Sequence, residues 1–151
     1  MKTLQFSIFL MLFIVSVQAD AQVQPKEPDY NKPLLFADLP SVMDIKRADL
    51  DNLLSLPVGT NTSTLLTPEF LVKGTVVSRS DETASGVISI VIRLVNRPGS
   101  TLCISRVRAE EGSFKFIGRI LSLDNSDVLE IAGNYDKYVL QKKHLYDIVN
   151  E

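Results

Sequence analysis

His144 and Cys103 are the only histidine and the only cysteine in the 151-residue chain. Single copies of the two most reactive residue types set tight bounds on chemistry. A zinc site takes four ligands, usually nitrogen and sulfur, and these two residues cannot supply them. A Ser-His-Asp relay would have to use His144, which sits near Tyr146 and Asp147, but no glycine-flanked serine elbow accompanies it. Cys103 lies between Leu102 and Ile104, a setting that predicts a buried and inert thiol. Acid–base work without histidine needs paired carboxylates, for which Glu110 with Glu111 and Asp124 with Asp127 are the candidates. Both pairs fall in turn-forming stretches, where a carboxyl finds little of the apolar burial that raises its pKa. No phosphate-cradling P-loop and no dinucleotide glycine fingerprint occurs. No catalytic residue is therefore assigned, and no cofactor or metal is expected.

Cations carry more promise. Lys73, Arg79, Arg93, Arg106, Arg108, Lys115 and Arg119 all lie in runs with strand character. If the turn Arg97-Pro98-Gly99-Ser100 sets the pairing, Asn96 faces Thr101 and Arg93 faces Ile104, and the next turn puts Ile104 opposite Arg119. In that register Arg93, Arg106, Arg108, Lys115 and Arg119 share one face of the sheet, joined by Lys73 and Arg79 if Val76 lies on the core side, with no acid among the seven. Ile88, Ile90, Ile92, Leu94, Cys103, Ser105, Val107, Ala109, Phe114, Phe116, Gly118 and Ile120 then form the opposite, core face. An arginine-rich face holds carboxylate or phosphate by bidentate hydrogen bonds. Arginine and lysine are also ordinary occupants of a solvated sheet face, where their stems cover apolar neighbours. A slip of one residue in any pairing exchanges the two faces.

The elements that must present these side chains follow from periodicity and turn chemistry. Strands are expected over Phe70 to Arg79, Val87 to Asn96, Thr101 to Ala109, Phe114 to Leu123, Val128 to Ala132 and Tyr138 to Lys142. Thr64 to Leu66 offers a further edge piece. Short connectors, with Pro98-Gly99, Glu111-Gly112 and Asp124-Asn125 as turn formers, make neighbours antiparallel and the sheet a meander. Before it, Ser41 or Asp44 caps a helix carrying Ile45, Ala48, Leu50, Leu53 and Leu54, stopped by Pro57-Val58-Gly59. Leu145, Ile148 and Val149 have the spacing of a short closing helix. The fold class is mainly β, or α+β: a six-strand antiparallel meander, either a strongly curved sheet or a small, partly closed barrel, with one helix before it and one after.

Residues 1–21 have the pattern of a signal peptide: Lys2, an apolar run from Leu4 to Val17, and Ala19-Asp20-Ala21 as the cleavage site. An exported protein, periplasmic or extracellular, is expected. Residues 22–40 hold Pro25, Pro28, Pro33 and Pro40 and read as an arm or linker with an apolar patch at Leu34-Leu35-Phe36. Residues 41–151 suit a single domain. A formal net charge of −2 argues against binding nucleic acid by bulk charge and leaves the arrangement of charges as the informative property. No second run approaches the ~20 apolar residues of a membrane span, so no anchor is expected in the mature chain. Asn61-Thr62-Ser63 is a glycosylation sequon.

The series Phe70-x-x-x-Gly74-x-Val76, Val91-Ile92-Arg93, Gly99-x-x-Leu102-x-Ile104-Ser105-Arg106, Phe116-x-Gly118-Arg119-Ile120 and Tyr138-x-Leu140-x-Lys142 resembles small exported bacterial proteins of unknown function. It is also similar to the β-rich propeptides of secreted metalloproteases, although no protease domain follows. The resemblance implies a free-standing inhibitor-like or binding domain. Together these features predict a non-enzymatic exported domain that contacts an acidic polymer or protein through its cationic sheet face. Two alternatives remain: a small secreted hydrolase using acidic turn residues with His144 or Tyr146, and an envelope scaffold or assembly subunit.

Overall fold

The structure, a computed structural model, describes residues 31–82, 85–109, 111–134 and 137–149. The signal-peptide pattern of residues 1–21, the arm up to residue 30, and Glu110 of the first acidic pair lie outside them.

Eight strands form one antiparallel sheet: β1 (Val42–Ile45), β2 (Asn61–Thr67), β3 (Phe70–Glu82), β4 (Val87–Leu94), β5 (Ser100–Arg108), β6 (Phe114–Ser122), β7 (Asp127–Asn134) and β8 (Lys137–His144). Their order across the sheet is β1-β8-β7-β6-β5-β4-β3-β2. From β3 to β8 this is the expected six-strand meander, β2 extends it at one edge, and β1 adds itself to the far side of β8. The sheet is strongly curled into a half-barrel. Its two edges come close enough for the Thr67 hydroxyl to reach the Met43 sulfur at 3.6 Å. Helix α1 (Arg47–Leu54) crosses between β1 and β2, and α2 (Leu145–Val149) closes the described chain.

Eight strands rather than six, and a shorter helix before them, are the first corrections to the sequence reading. With Ser41 as its cap the expected helix takes in Val42 to Ile45, and with Asp44 only Ile45, yet this stretch alternates exposed and buried residues in the period of a strand and pairs with Tyr138 to Gln141. Asp44 therefore lies exposed on a strand instead of capping a helix. Helix α1 starts after Lys46, which makes no capping side-chain bond. The expected edge piece at Thr64 to Leu66 lengthens to the whole of β2, and Asn61 of the sequon opens it, its amide oxygen accepting from the Thr75 hydroxyl at 2.7 Å.

The core is the inside of the curl. Leu50, Leu53 and Leu54 of α1 pack onto Ile90, Ile92, Leu102, Ile104, Phe116 and Ile120 from the middle strands. Phe36, from the arm, is wholly buried and meets Phe70 edge-on at 6.2 Å. The arm is clamped from several sides. The buried Asp127 carboxylate accepts from the backbone N–H of Leu35 at 2.6 Å and of Phe36 at 2.9 Å. The Arg97 guanidinium donates to the Leu35 carbonyl and pairs with Asp38, holding that carboxyl below its usual range. Leu34-Leu35-Phe36 thus docks on its own domain, an internal use of a patch that would otherwise stick to neighbours.

Three register features determine which face each strand shows. After β4, Asn96 turns back to β3, donating from its amide to the Leu71 carbonyl at 2.8 Å and accepting from the Lys73 N–H at 3.3 Å. The Arg97 to Ser100 turn forms as expected, with Gly99 at φ +79°, but Arg93 now faces Thr101 instead of Ile104. At the next connection Ala109 N–H bonds the Ser113 carbonyl and Gly112 takes φ +85°, the short hairpin closure with a left-handed glycine. Ile104 consequently faces Gly118 instead of Arg119. Each slip is by an odd number of residues, so β5 is inverted relative to expectation while β6 is restored. The third feature is a bulge in β3 between Val76 and Ser78, which exchanges the faces of the residues that follow.

Candidate functional site

The seven cations do not share one face. Lys73, Arg93, Lys115 and Arg119 stand on the convex outer surface, whereas the inversion of β5 takes Arg106 and Arg108 to the inner face and the β3 bulge takes Arg79 there with them. The expected core places for Cys103, Ser105 and Val107 are overturned by the same inversion. Cys103 is exposed, its thiol pushed up by partial desolvation and thus less nucleophilic. Ser89 and Ser105 hydroxyls meet at 2.7 Å on the outside.

On the convex side the cations are spread out and partly neutralised. Arg93 lies in the row of Thr101 and Leu121, Arg119 in the row of Cys103 and Glu130, and Lys115 opposite Val107. Those rows put Arg93 and Arg119 two strands and one pleat apart, about 12 Å between Cα atoms. Glu130 brings a carboxylate onto the face that was expected to have none. It contacts Lys143 at 2.6 Å and Arg119 at 3.0 Å, and its pKa is lowered first by the Lys143 hydrogen bond and then by Arg119. A carboxyl lowered in the folded state stabilises the fold above its unfolded pKa and loses that contribution as pH falls through the folded value. Glu130→Gln should therefore cost about 1 kcal/mol at neutral pH, and the difference from wild type should shrink at a pH below the usual carboxylate range. Urea denaturation at the two pH values measures it.

The inner face is different at the end of the curl where α1 meets β5. Arg106 and Arg108 project from the same side of β5 and flank one ring, with guanidinium carbons 5.1 Å and 5.7 Å from the centre of Phe114. A cation at this distance is attracted by the ring face, which takes up none of its N–H donors. Arg47, on the first turn of α1, lies over Phe116 at 5.9 Å. Arg79 donates to the Leu54 carbonyl at the end of α1 and contacts Asp81 at 3.3 Å. Asp51 sits between Arg47 and Arg106 at 3.8 Å from each, too far for a hydrogen bond. Neither the Arg106 nor the Arg108 guanidinium makes a hydrogen bond among the described residues, and Arg106 Nε is buried without a partner. A buried donor left unmade costs about 1–3 kcal/mol, so its position needs an explanation.

Arg47 was absent from the sequence reading. Its signal was the spacing to Asp51 on one helix face, and its place beside β5 was not readable because that depends on which way β5 faces.

The acidic candidates do not assemble. Glu111 accepts from the Ser113 hydroxyl at 3.1 Å in its turn, Asp124 is exposed, and Asp127 is buried with its oxygens on the arm backbone. His144 lines a crevice with Ser41, Asp127 and Asp147, but no hydrogen bond joins its ring to a serine or a carboxylate among the described residues. In the same residues no group of three or more His, Cys, Asp or Glu side chains is placed to hold a metal ion. No described helix is long and apolar enough to cross a membrane.

The chain matches no family model, no curated protein and no solved structure.

Proposed function

We propose that this is an exported, non-enzymatic domain that binds an acidic macromolecule through the arginines at the open end of its curl: Arg106, Arg108 and Arg79 from the sheet, joined by Arg47 from the helix. One observation carries the reading. Arg106 and Arg108 are held against Phe114, and their guanidinium edges, free of hydrogen bonds to the described residues, stay partly exposed on one side of β5. Stacked guanidiniums whose donors are unmet form a preorganised receptor for an oxyanion, because little side-chain entropy is lost when it arrives. The leader-like residues 1–21 support export. The convex cations Lys73, Arg93, Lys115 and Arg119 are the weaker site, being scattered and shared with Glu130.

Salt-gradient elution from a dextran sulfate matrix tests this. The wild-type protein should be retained despite its net charge of −2. Arg106→Gln with Arg108→Gln should lose two charge contacts and reduce affinity about 30-fold or more, at roughly 1–2 kcal/mol each. Arg93→Gln with Lys115→Gln should elute close to wild type, and circular dichroism verifies that each variant is folded. Equal losses from the two pairs would show bulk charge at work and count against the site.

A further inference from the structure

Arg106 and Arg108 lie close enough to share one ligand. They stand two residues apart on one side of β5, and their guanidinium carbons are 5.1 Å and 5.7 Å from the centre of the same Phe114 ring, so the two cannot be farther apart than the sum of those distances. N–H···O bonds of about 2.8 Å to opposite sides of one tetrahedral oxyanion span a gap of that order. The Arg106 side chain is 31 % exposed and Arg108 is exposed, so a ligand meets their outer edges while Arg106 Nε stays buried.

Charge narrows the ligand further. Arg47 is offset by Asp51 at 3.8 Å, and Arg79 by Asp81 at 3.3 Å. Asp51 also approaches Arg106 at 3.8 Å, but it supplies one negative charge only. Among these six side chains Arg106 and Arg108 therefore leave an excess of two positive charges. A dianion balances that excess and a monoanion half of it, and the attraction grows in proportion to the ligand's charge.

We propose that the arginine pair binds a phosphate monoester, one tetrahedral dianion held between Arg106 and Arg108, in preference to a sulfate ester of the same shape and half the charge. The inference rests on the binding reading above and narrows it to a phosphorylated partner. A planar, singly charged carboxylate fills one guanidinium fork and leaves the other empty. The second pKa of a phosphate monoester is about 6, so the preference holds above that pH and disappears once the ester is a monoanion.

The test displaces the wild-type protein from dextran sulfate with soluble phenyl phosphate and phenyl sulfate, at about pH 7.5 and about pH 5, on either side of that pKa. Ionic strength is matched and kept low enough to retain every variant. At the higher pH phenyl phosphate should displace the protein at about tenfold lower concentration than phenyl sulfate, and at the lower pH the two should agree within about twofold. Phenyl sulfate is a monoanion throughout, so its own change with pH reports any change in the protein. Arg108→Gln should remove the phosphate advantage, whereas Arg93→Gln with Lys115→Gln should keep it, with circular dichroism verifying each fold. A peptide bearing one phosphoserine and glucose 6-phosphate, run in the same assay, distinguish a protein carrier of the ester from a glycan. Equal displacement by the two phenyl esters at the higher pH, displacement by neither, or a phosphate advantage that survives Arg108→Gln would overturn the inference while leaving the binding site standing. Failure of dextran sulfate to retain the wild type would overturn both.

Discussion

Asp127→Ala should destabilise the protein by about 3 kcal/mol, since it strips two buried backbone N–H groups of a charged acceptor. Asp127 is 1 % exposed and holds Leu35 and Phe36 at 2.6 and 2.9 Å, so no water is at hand to replace it. Phe36→Ala removes a wholly buried ring that packs against Phe70 and should cost about 4 kcal/mol. The two losses are one event seen twice, the undocking of the arm. Once the carboxylate is gone the ring has little to hold it, and once the ring is gone the N–H groups reach solvent. The double variant should accordingly cost less than the sum of the singles, with a coupling of about 1–2 kcal/mol in a denaturant double-mutant cycle. Additive losses, or an Asp127→Ala cost below about 1 kcal/mol, would mean that the arm is a passive passenger.

Gly74→Ala should cost about 3 kcal/mol, at the upper end of the range for overpacking. A Cβ built at Gly74 collides with the carbonyl oxygen of Arg93 on β4, with the carbonyl carbon at 2.9 Å and an Ile92 methyl at 3.1 Å. The obstacle is backbone, and backbone in mid-sheet has no rotamer by which to yield. Gly74 pairs with Leu94 and lies just before the β3 bulge between Val76 and Ser78, a device that curves a sheet. Gly112→Ala is the contrasting case, for nothing lies within 4 Å of the added carbon and only the φ of +85° is strained, a cost of about 1–2 kcal/mol. Thermal or urea unfolding of the two variants should rank them in that order. The reverse order would show that the close approach of β3 and β4 is not what constrains the curl.

These expected losses bear on binding as well. The curl brings β5 under α1 and so puts Arg106 beside Asp51 and Arg47. Variants that open the sheet at Gly74 should weaken polyanion binding only as they unfold the protein, whereas Arg106 and Arg108 replacements act on binding in a folded chain.

Much of the architecture was legible because it is local. Alternating Ile88, Ile90, Ile92 and Leu94, the β-branched content of the strands, and Pro98-Gly99 or Glu111-Gly112 between them locate β3 to β8 to within three residues at each end, and α2 follows from Leu145 and Ile148. Two local signals were misread for an identifiable reason. Ile45 fits a helical spacing with Ala48 as well as the strand alternation with Met43, and only the partners Leu140 and Tyr138 on β8 decide between the two. The candidate site was half legible: Arg79, Arg106 and Arg108 were picked out as cations, but with the wrong companions.

The sequence by itself determined the approximate places of β3 to β8, that neighbours are antiparallel, and that the seven cations recur along β3 to β6, because those properties depend on residues a few positions apart. Only the tertiary structure decided which way each strand faces. That choice is a parity, and the parity was set by contacts no spacing rule contains: the Asn96 side chain completing the β3 edge, the closure of Ala109 on Ser113, and the extra residue in β3 at Val77. A single odd slip carries a guanidinium from water to the mouth of the curl. Whether Arg106 is one more solvated cation or the centre of a binding site therefore rests on hydrogen bonds made far from it in the chain.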